Sequence, residues 1–354
     1  DAVGGVWQAI TYPGAACDVQ SHLYALSFAP NPDWSHKYSR QPEIRAYLED
    51  VAARFGVMPH IRFGHTVEPC TWDEAAARWR IDTARGPFTA DVLIAAPGAL
   101  AEPRLPDIPG LASFDGEIMH TARWDHSVEI DGARVAVVGT GASAIQIVPA
   151  IQPRVGELTV YQRTPPWSIP RGDAPFADAT RRRFRQRPGL RRALRRTLFV
   201  YHETLGVALR RMWANRVVQE VLARRHLRRS VPHPDLRERL TPDYRLGCKR
   251  ILLSDHYYPA LQQPNVTLVD GALSEVRGHT LVGADGSERE ADVIVLATGF
   301  YVTDLPFAQH VIGRGGQRLS ENWGESPVAH DGTAVRGVPN FFLIQGTTPG
   351  LGHS

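Results

Sequence analysis

A six-residue turn carries the first chemical signal. Gly139-Thr140-Gly141-Ala142-Ser143-Ala144 follows a short apolar run at 134–138 and has the pattern Gly-x-Gly-x-x-Ala. Gly139 would close a tight turn, Gly141 would let main chain approach a pyrophosphate, and Ala144 would let the following helix pack close to the sheet. The start of that helix offers free N–H groups and positive dipole to phosphates. Such a triplet is weak alone and gains weight from a strand on either side. A site for NAD places Asp or Glu about 20 residues after the glycines, to accept from the ribose 2′-hydroxyl. Here the next strand ends in Gln162-Arg163-Thr164. A guanidinium and a hydroxyl suit a 2′-phosphate, which a carboxylate would repel. These residues favour NADPH over NADH, the alternative for Arg163 being a solvated loop arginine.

The elements that must position this turn are readable around it. Residues 134–138 form a short apolar strand, a helix runs through Ile151, and a second strand follows at 158–161, which makes a β-turn-α-β unit. Upstream, residues 43–55 have helical apolar spacing (Ile44, Tyr47, Leu48, Val51) ending at Gly56, and strand-like runs follow at 79–83 and 91–96. A loop with Pro103, Pro106 and Pro109 reads as a linker. Residues 177–229 turn helical and basic, with Leu190, Leu194, Leu198, Tyr201 and Leu205 on one face, and read as a helical insertion. Strands resume at 267–270 and 292–297, the last ending in Thr298-Gly299. The chain opens on a loop-like stretch at Gly4-Gly5-Val6-Trp7 and closes glycine-rich at 346–354, from which truncation at both ends is expected.

Several motifs together resemble one family. Phe114-x-Gly116-x-x-x-His120-x-x-x-Trp124-Asp125 resembles the fingerprint of Baeyer-Villiger monooxygenases and directly precedes the strand that leads to the glycine turn. Gly4-Gly5-x-Trp7, with Tyr12-Pro13-Gly14 and Cys17-Asp18, resembles that family's second fingerprint. Further similarity lies in Gln41-Pro42-Glu43-Ile44, Gly247-Cys248-Lys249-Arg250, Ala297-Thr298-Gly299-Phe300 and Gly350-Leu351-Gly352-His353. The resemblance implies FAD and NADPH as cofactors, O2 and a small ketone as substrates, and insertion of one oxygen beside the carbonyl to give an ester or lactone. It also implies roles. An anionic oxidant in a dry site needs a permanent cation, and the family's arginine for that task maps onto Arg250. Asp18 maps onto the carboxylate beside that arginine, although an Asp after Pro-Gly can also cap a turn. Lys249 maps onto a cofactor-phosphate contact, and Gly5, Val6, Trp7, Gln8, Asp18 and Tyr24 onto flavin-contacting positions. For Trp7 and Tyr24, core packing is the plainer alternative. His120 is carried over as a fingerprint residue tied to conformational coupling.

The implied fold is α/β, with two interleaved Rossmann-like dinucleotide-binding domains and a helical insertion. The expected division is 1–125 as a partial FAD-binding domain, 126–297 as the NADPH-binding domain and 298–354 as the return segment of the first, with the active site between them. The family begins with a strand and a Gly-x-Gly-x-x-Gly turn for the FAD pyrophosphate, a unit of about 30 residues, and Asp1 starts after it. Ala16 stands where an arginine is usual, and Ala96-Pro97-Gly98 replaces an Ala-Thr-Gly turn. N- or S-oxygenation by the same cofactors, and a catalytically dead fragment, are the competing readings.

Composition removes other classes. Apolar residues make up 43% of the 354, ordinary for packed domains. Cys17, Cys70 and Cys248 lie too far apart for a disulfide framework or a metal site. With no apolar run of about 20 residues, no transmembrane segment is expected and a cytoplasmic location is. Nine of the sixteen residues 181–196 are arginine. Across 181–229 arginines alternate with leucines at helical spacing, as a solvated basic face does over a buried apolar one, so no nucleic-acid partner is expected. Heavy use of arginine and alanine suggests a bacterial source.

Overall fold

Residues 135–138 and 293–296 are apolar without alternation, the pattern of strands covered on both faces. The computed structural model, which describes residues 2–302 and 305–344, builds them into the middle of a five-stranded parallel sheet. Its order is Val266–Asp270, Glu157–Gln162, Arg134–Val138, Val293–Leu296, Glu117–His120. Side chains alternate between its faces. Val135, Val137, Leu158, Val160, Val293 and Val295 pack against Ile147, Val148 and Ile151 of the helix Ala144–Ile151. Ala136, Val138, Tyr161, Ile294 and Leu296 pack on the opposite side with Val276 and Leu281. These last two come from a three-stranded antiparallel sheet, Leu273–Arg277, Thr280–Gly283 and Glu288–Glu290.

Two compact units divide the chain. The one holding the parallel sheet comprises 7–51 and 105–298 of the described residues. It also contains most of the helix Gln41–Arg54 and a run of helices: Asp178–Gln186, Pro188–Arg210, Met212–Val218, a π-helical stretch Gln219–Arg224, Arg225–Ser230 and Pro234–Arg239. Along Pro188–Arg210 the apolar face is only partly covered: Leu194, Leu198 and Leu205 are half-buried, while Leu190 and Tyr201 are exposed. A short parallel pair, Ser168–Ile169 before the helices and Leu252–Leu253 after them, brackets the helical run.

The other unit comprises 2–6, 52–104 and 299–344, apart from Thr303 and Asp304. It has a four-stranded sheet of order Val311–Ile312, Val67–Asp73, Arg78–Thr83, Phe88–Ala90, and a parallel pair Leu93–Ala95 with Phe341–Leu343. Trp79 is its fully buried centre, packed against Trp72 and Phe341, with its indole N–H donating to Pro339 O at 3.0 Å.

Two expectations need amending. The stretch at Gly4-Gly5-Val6-Trp7 is not wholly loop, since Val6–Ala9 forms a helical turn. The strand Glu117–His120, inside the first fingerprint, was not foreseen, because Glu-Ile-Met-His shows no strand alternation. Gly350-Leu351-Gly352-His353 lies outside the described residues. Among the described residues no helix is long and apolar enough to cross a membrane.

Candidate functional site

The glycine turn has the geometry its residues suggest. Gly139 has φ +111°, and a Cβ there would lie 2.6 Å from Ala297 O, so the position excludes any side chain. A Cβ on Gly141 would meet nothing within 4 Å, which leaves the main chain open to a ligand. Ala144 is fully buried at the start of its helix, and Ile145 N–H already donates to Gly141 O at 3.1 Å. Gln146 N–H likewise donates to Ser143 O at 3.1 Å, so the N–H groups left for a ligand are those of the turn itself and of the first helical residue. Thr140 Oγ1 donates to Thr164 O at 2.9 Å, tying the turn to the end of the next strand. Arg163 is exposed there and has no ion pair among the described residues. Ala142 and Ser143 are half-buried between them.

Asp18 and Arg250, 232 residues apart in sequence, meet in an ion pair at 2.5 Å. The Asp18 side chain is 20% exposed and that of Arg250 is 50% exposed, so the carboxylate is shielded and the guanidinium keeps a free side. Lys249 is exposed, with Nζ 4.8 Å from the Tyr244 ring centroid. Trp7 and Tyr24 form an edge-on pair with centroids 5.8 Å apart, and Trp7 Nε1 donates to Tyr24 Oη at 2.8 Å. Tyr24 is exposed, whereas Trp7 is half-buried and packs on the core cluster that holds Trp34 and Tyr47. Val6 and Gln8 share the helical turn with Trp7, and Gly5 precedes it with φ +53°.

The five fingerprint residues build the entry to the parallel sheet. Phe114 is buried edge-on to His279. Gly116 is obligatory because a Cβ would fall 2.2 Å from Asp292 O. His120 is buried at the end of its strand, with Nδ1 accepting from Ala122 N–H at 3.0 Å. Trp124 packs on the main core. Asp125 accepts from Ser127 N–H and Ser127 O–H, bonds that hold its carboxyl below the ordinary range.

Two residues that sequence reasoning missed hold the Asp18 segment. Gln146 bonds both backbone groups of Ala16, and the signal available was a lone amide in the apolar helix Ala144–Ile151. Arg171 Nη2 donates to Cys17 O at 2.6 Å, its guanidinium lies 5.1 Å from the Tyr38 ring centroid, and its own N–H donates to Asp255 Oδ1 at 3.0 Å. Nothing local in the sequence marks Arg171. Cys17 is no nucleophile: burial first, then the Asp18 charge, push its thiol up to about 12.

Comparison with known proteins gives a consistent result. A family model described as pyridine nucleotide-disulphide oxidoreductase matches residues 20–185. A Baeyer-Villiger monooxygenase of Streptomyces coelicolor is 50% identical over 353 residues, covering 100% of this chain and 68% of the relative. Cyclohexanone monooxygenase from Rhodococcus sp. Phi1 bound to NADP+ superposes with a TM-score of 0.85 at 29% identity, covering 97% of this chain and 72% of that one. A crystal structure of OTEMO in complex with FAD and NADP superposes with a TM-score of 0.85 at 28% identity, covering 98% and 74%.

Proposed function

The chain belongs to the Baeyer-Villiger monooxygenase family of flavoprotein monooxygenases, and from that premise we propose that it uses FAD, NADPH and O2 to insert one oxygen atom beside a ketone carbonyl, giving an ester or lactone. The observation that carries this reading is the Asp18–Arg250 pair, in which a shielded carboxylate fixes a permanently charged guanidinium that still presents half its surface. Such a cation lowers the free energy of negative charge arising on a neighbouring group, and its position is set before the charge appears.

Bound flavin would supply the electron transfer and the oxygen activation. The protein's own residues bind, orient and hold charge. The pyrophosphate of NADPH would lie on residues 139–144, where the open side of Gly141 fits a close approach. Arg163 and Thr164 would take the 2′-phosphate, for which the absence of a competing carboxylate on Arg163 among the described residues is favourable. Lys249 would add a second cation to the cofactor phosphates. Gly5, Val6, Trp7, Gln8, Asp18 and Tyr24 would border the flavin ring, the indole-to-phenol hydrogen bond fixing two aromatic edges against it. His120 and its fingerprint neighbours would set the path of the chain between the FAD-binding segments, 1–125 and 298–354, and the NADPH-binding segment, 126–297. A cytoplasmic setting supplies the NADPH.

Product analysis tests the reading. The enzyme, supplied with FAD, NADPH and O2, is offered a cyclic ketone and a dialkyl sulfide separately. Lactone from the ketone is expected. Sulfoxide from the sulfide with no lactone would overturn it in favour of heteroatom oxygenation.

A further inference from the structure

Gln146 is the one polar side chain in the helix Ala144–Ile151 and lies two residues beyond the glycine turn. Its Oε1 accepts from Tyr12 O–H at 3.0 Å and from Ala16 N–H at 3.2 Å, and its Nε2 donates to Ala16 O at 2.9 Å. One amide thus satisfies both backbone groups of Ala16, as a neighbouring strand would. The contact is close along its length. Gly14 has φ +84°, and a Cβ there would lie 2.6 Å from Gln146 O and 3.1 Å from Ala150 Cβ. Tyr12 is buried, with its hydroxyl held by the Gln146 amide. Asp18 follows Ala16 by two residues, with Arg171 holding Cys17 O between them. A continuous set of bonds therefore runs from residues 139–144 through Gln146 to the carboxylate that meets Arg250.

Given NADPH at the glycine turn, as proposed above, we propose that Gln146 is a positioning residue: it clamps residues 12–16 to the nucleotide-binding helix, so that a dinucleotide seated on the turn also fixes Asp18 against Arg250. Neither the turn nor the ion pair has such a link in the family fingerprints read from the sequence. Gln146 touches neither reacting atoms nor phosphate in this role. Its effect passes through the backbone of Ala16.

Amide hydrogen exchange on the full chain, with and without saturating NADP+, tests the link. In the wild type NADP+ is expected to slow exchange across residues 14–18 by at least about fivefold, the low end of ordinary coupling between sites. In Gln146→Met, which keeps the length and removes all three bonds, NADP+ still binds but no longer slows exchange there. Reciprocity then weakens NADP+ affinity by about the same fivefold factor, no more. A merely structural role would speed exchange equally with and without NADP+. Gly14→Ala gives a second route, since it lifts the segment from the helix while leaving Gln146 in place, and the same loss of NADP+-dependent slowing is expected. The clamp is overturned if either variant keeps the wild-type slowing, or if NADP+ binds the wild type without altering residues 14–18. Failure of the wild type to bind NADP+ at all overturns the NADPH reading of the turn, and the clamp with it.

Discussion

A guanidinium keeps its proton at any physiological pH, so the charge of Arg250 does not depend on how dry its surroundings become. What its surroundings do control is direction, and Asp18, the more shielded partner, supplies that. Arg250→Ala should therefore separate the two halves of the reaction. NADPH oxidation should continue, because hydride delivery does not need this cation, while oxygenated product disappears. Parallel measurement of NADPH consumption and ester formation checks it, and product at the wild-type yield would refute the role. Arg163 makes a different kind of claim, about which nucleotide enters. A charge-assisted contact to phosphate contributes about 1.5–3 kcal/mol, so Arg163→Ala should weaken NADPH by roughly 10–100-fold and leave NADH nearly unchanged. Titration of both nucleotides decides it; equal weakening of the two would place Arg163 outside the 2′-phosphate site.

The helical elements reach the site through a small aromatic cage. The His22 ring lies 4.6 Å from that of Phe184, on Asp178–Gln186, and 5.2 Å from Phe176. Arg195, on Pro188–Arg210, donates to the carbonyls of His22, Leu23 and Ala25 at 3.0, 3.0 and 2.8 Å. These contacts fix the segment 22–25, which carries Tyr24. Burial first, and the Arg191 charge second, lower the His22 pKa to about 4. Since the unfolded chain takes up a proton near pH 6.5 and the folded one does not, the contribution of neutral His22 is complete above pH 6.5. It is lost as pH falls through 4, by up to about 3 kcal/mol. Urea unfolding at pH 7 and at pH 4.5 should show a smaller acid loss in His22→Leu than in the wild type, and identical losses would dismiss the cage. His226, also lowered by burial, stays in both proteins and cancels. Sequence reading reached these elements unevenly. The strand Arg134–Val138 and its turn were legible because a buried parallel strand is an unbroken apolar run and Gly139 is sterically forced. The antiparallel strands between Leu273 and Glu290 were not, being short and rich in charge. Arg163 and Thr164 were marked by local spacing. Asp18 and Arg250 had only motif resemblance to join them, and the cage around His22 had no local signal, because its partners are more than 150 residues away.

At the scale of the whole molecule, the two units carry their buried ionisable groups unequally. Tyr38, Tyr161, Tyr257 and Tyr258, and Cys17 beside the ion pair, all lie in the unit with the parallel sheet, and none is more than 7% exposed. Burial raises every one of them: Tyr38, Tyr161 and Cys17 to about 12, and Tyr257 and Tyr258 further. Each is neutral when folded and would release its proton near its ordinary pKa when unfolded. The stabilisation is thus complete below about pH 9 and falls as pH rises, the sign expected when the unfolded state binds fewer protons. A shift of two units is worth about 3 kcal/mol, so Tyr38, Tyr161 and Cys17, each raised to about 12, already fall together within the 5–15 kcal/mol that holds a typical domain folded. The fold should give way before the buried phenols can ionise in place. The buried tyrosines, Tyr12 and Tyr47 with Tyr38, Tyr161, Tyr257 and Tyr258, should then become phenolate in one cooperative step, between about pH 10 and 12, that coincides with loss of the far-ultraviolet helical signal. A smooth titration of all the tyrosines near pH 10 with the helical signal intact would show instead that these side chains reach water without unfolding, and that the packing around the parallel sheet is looser than their burial indicates.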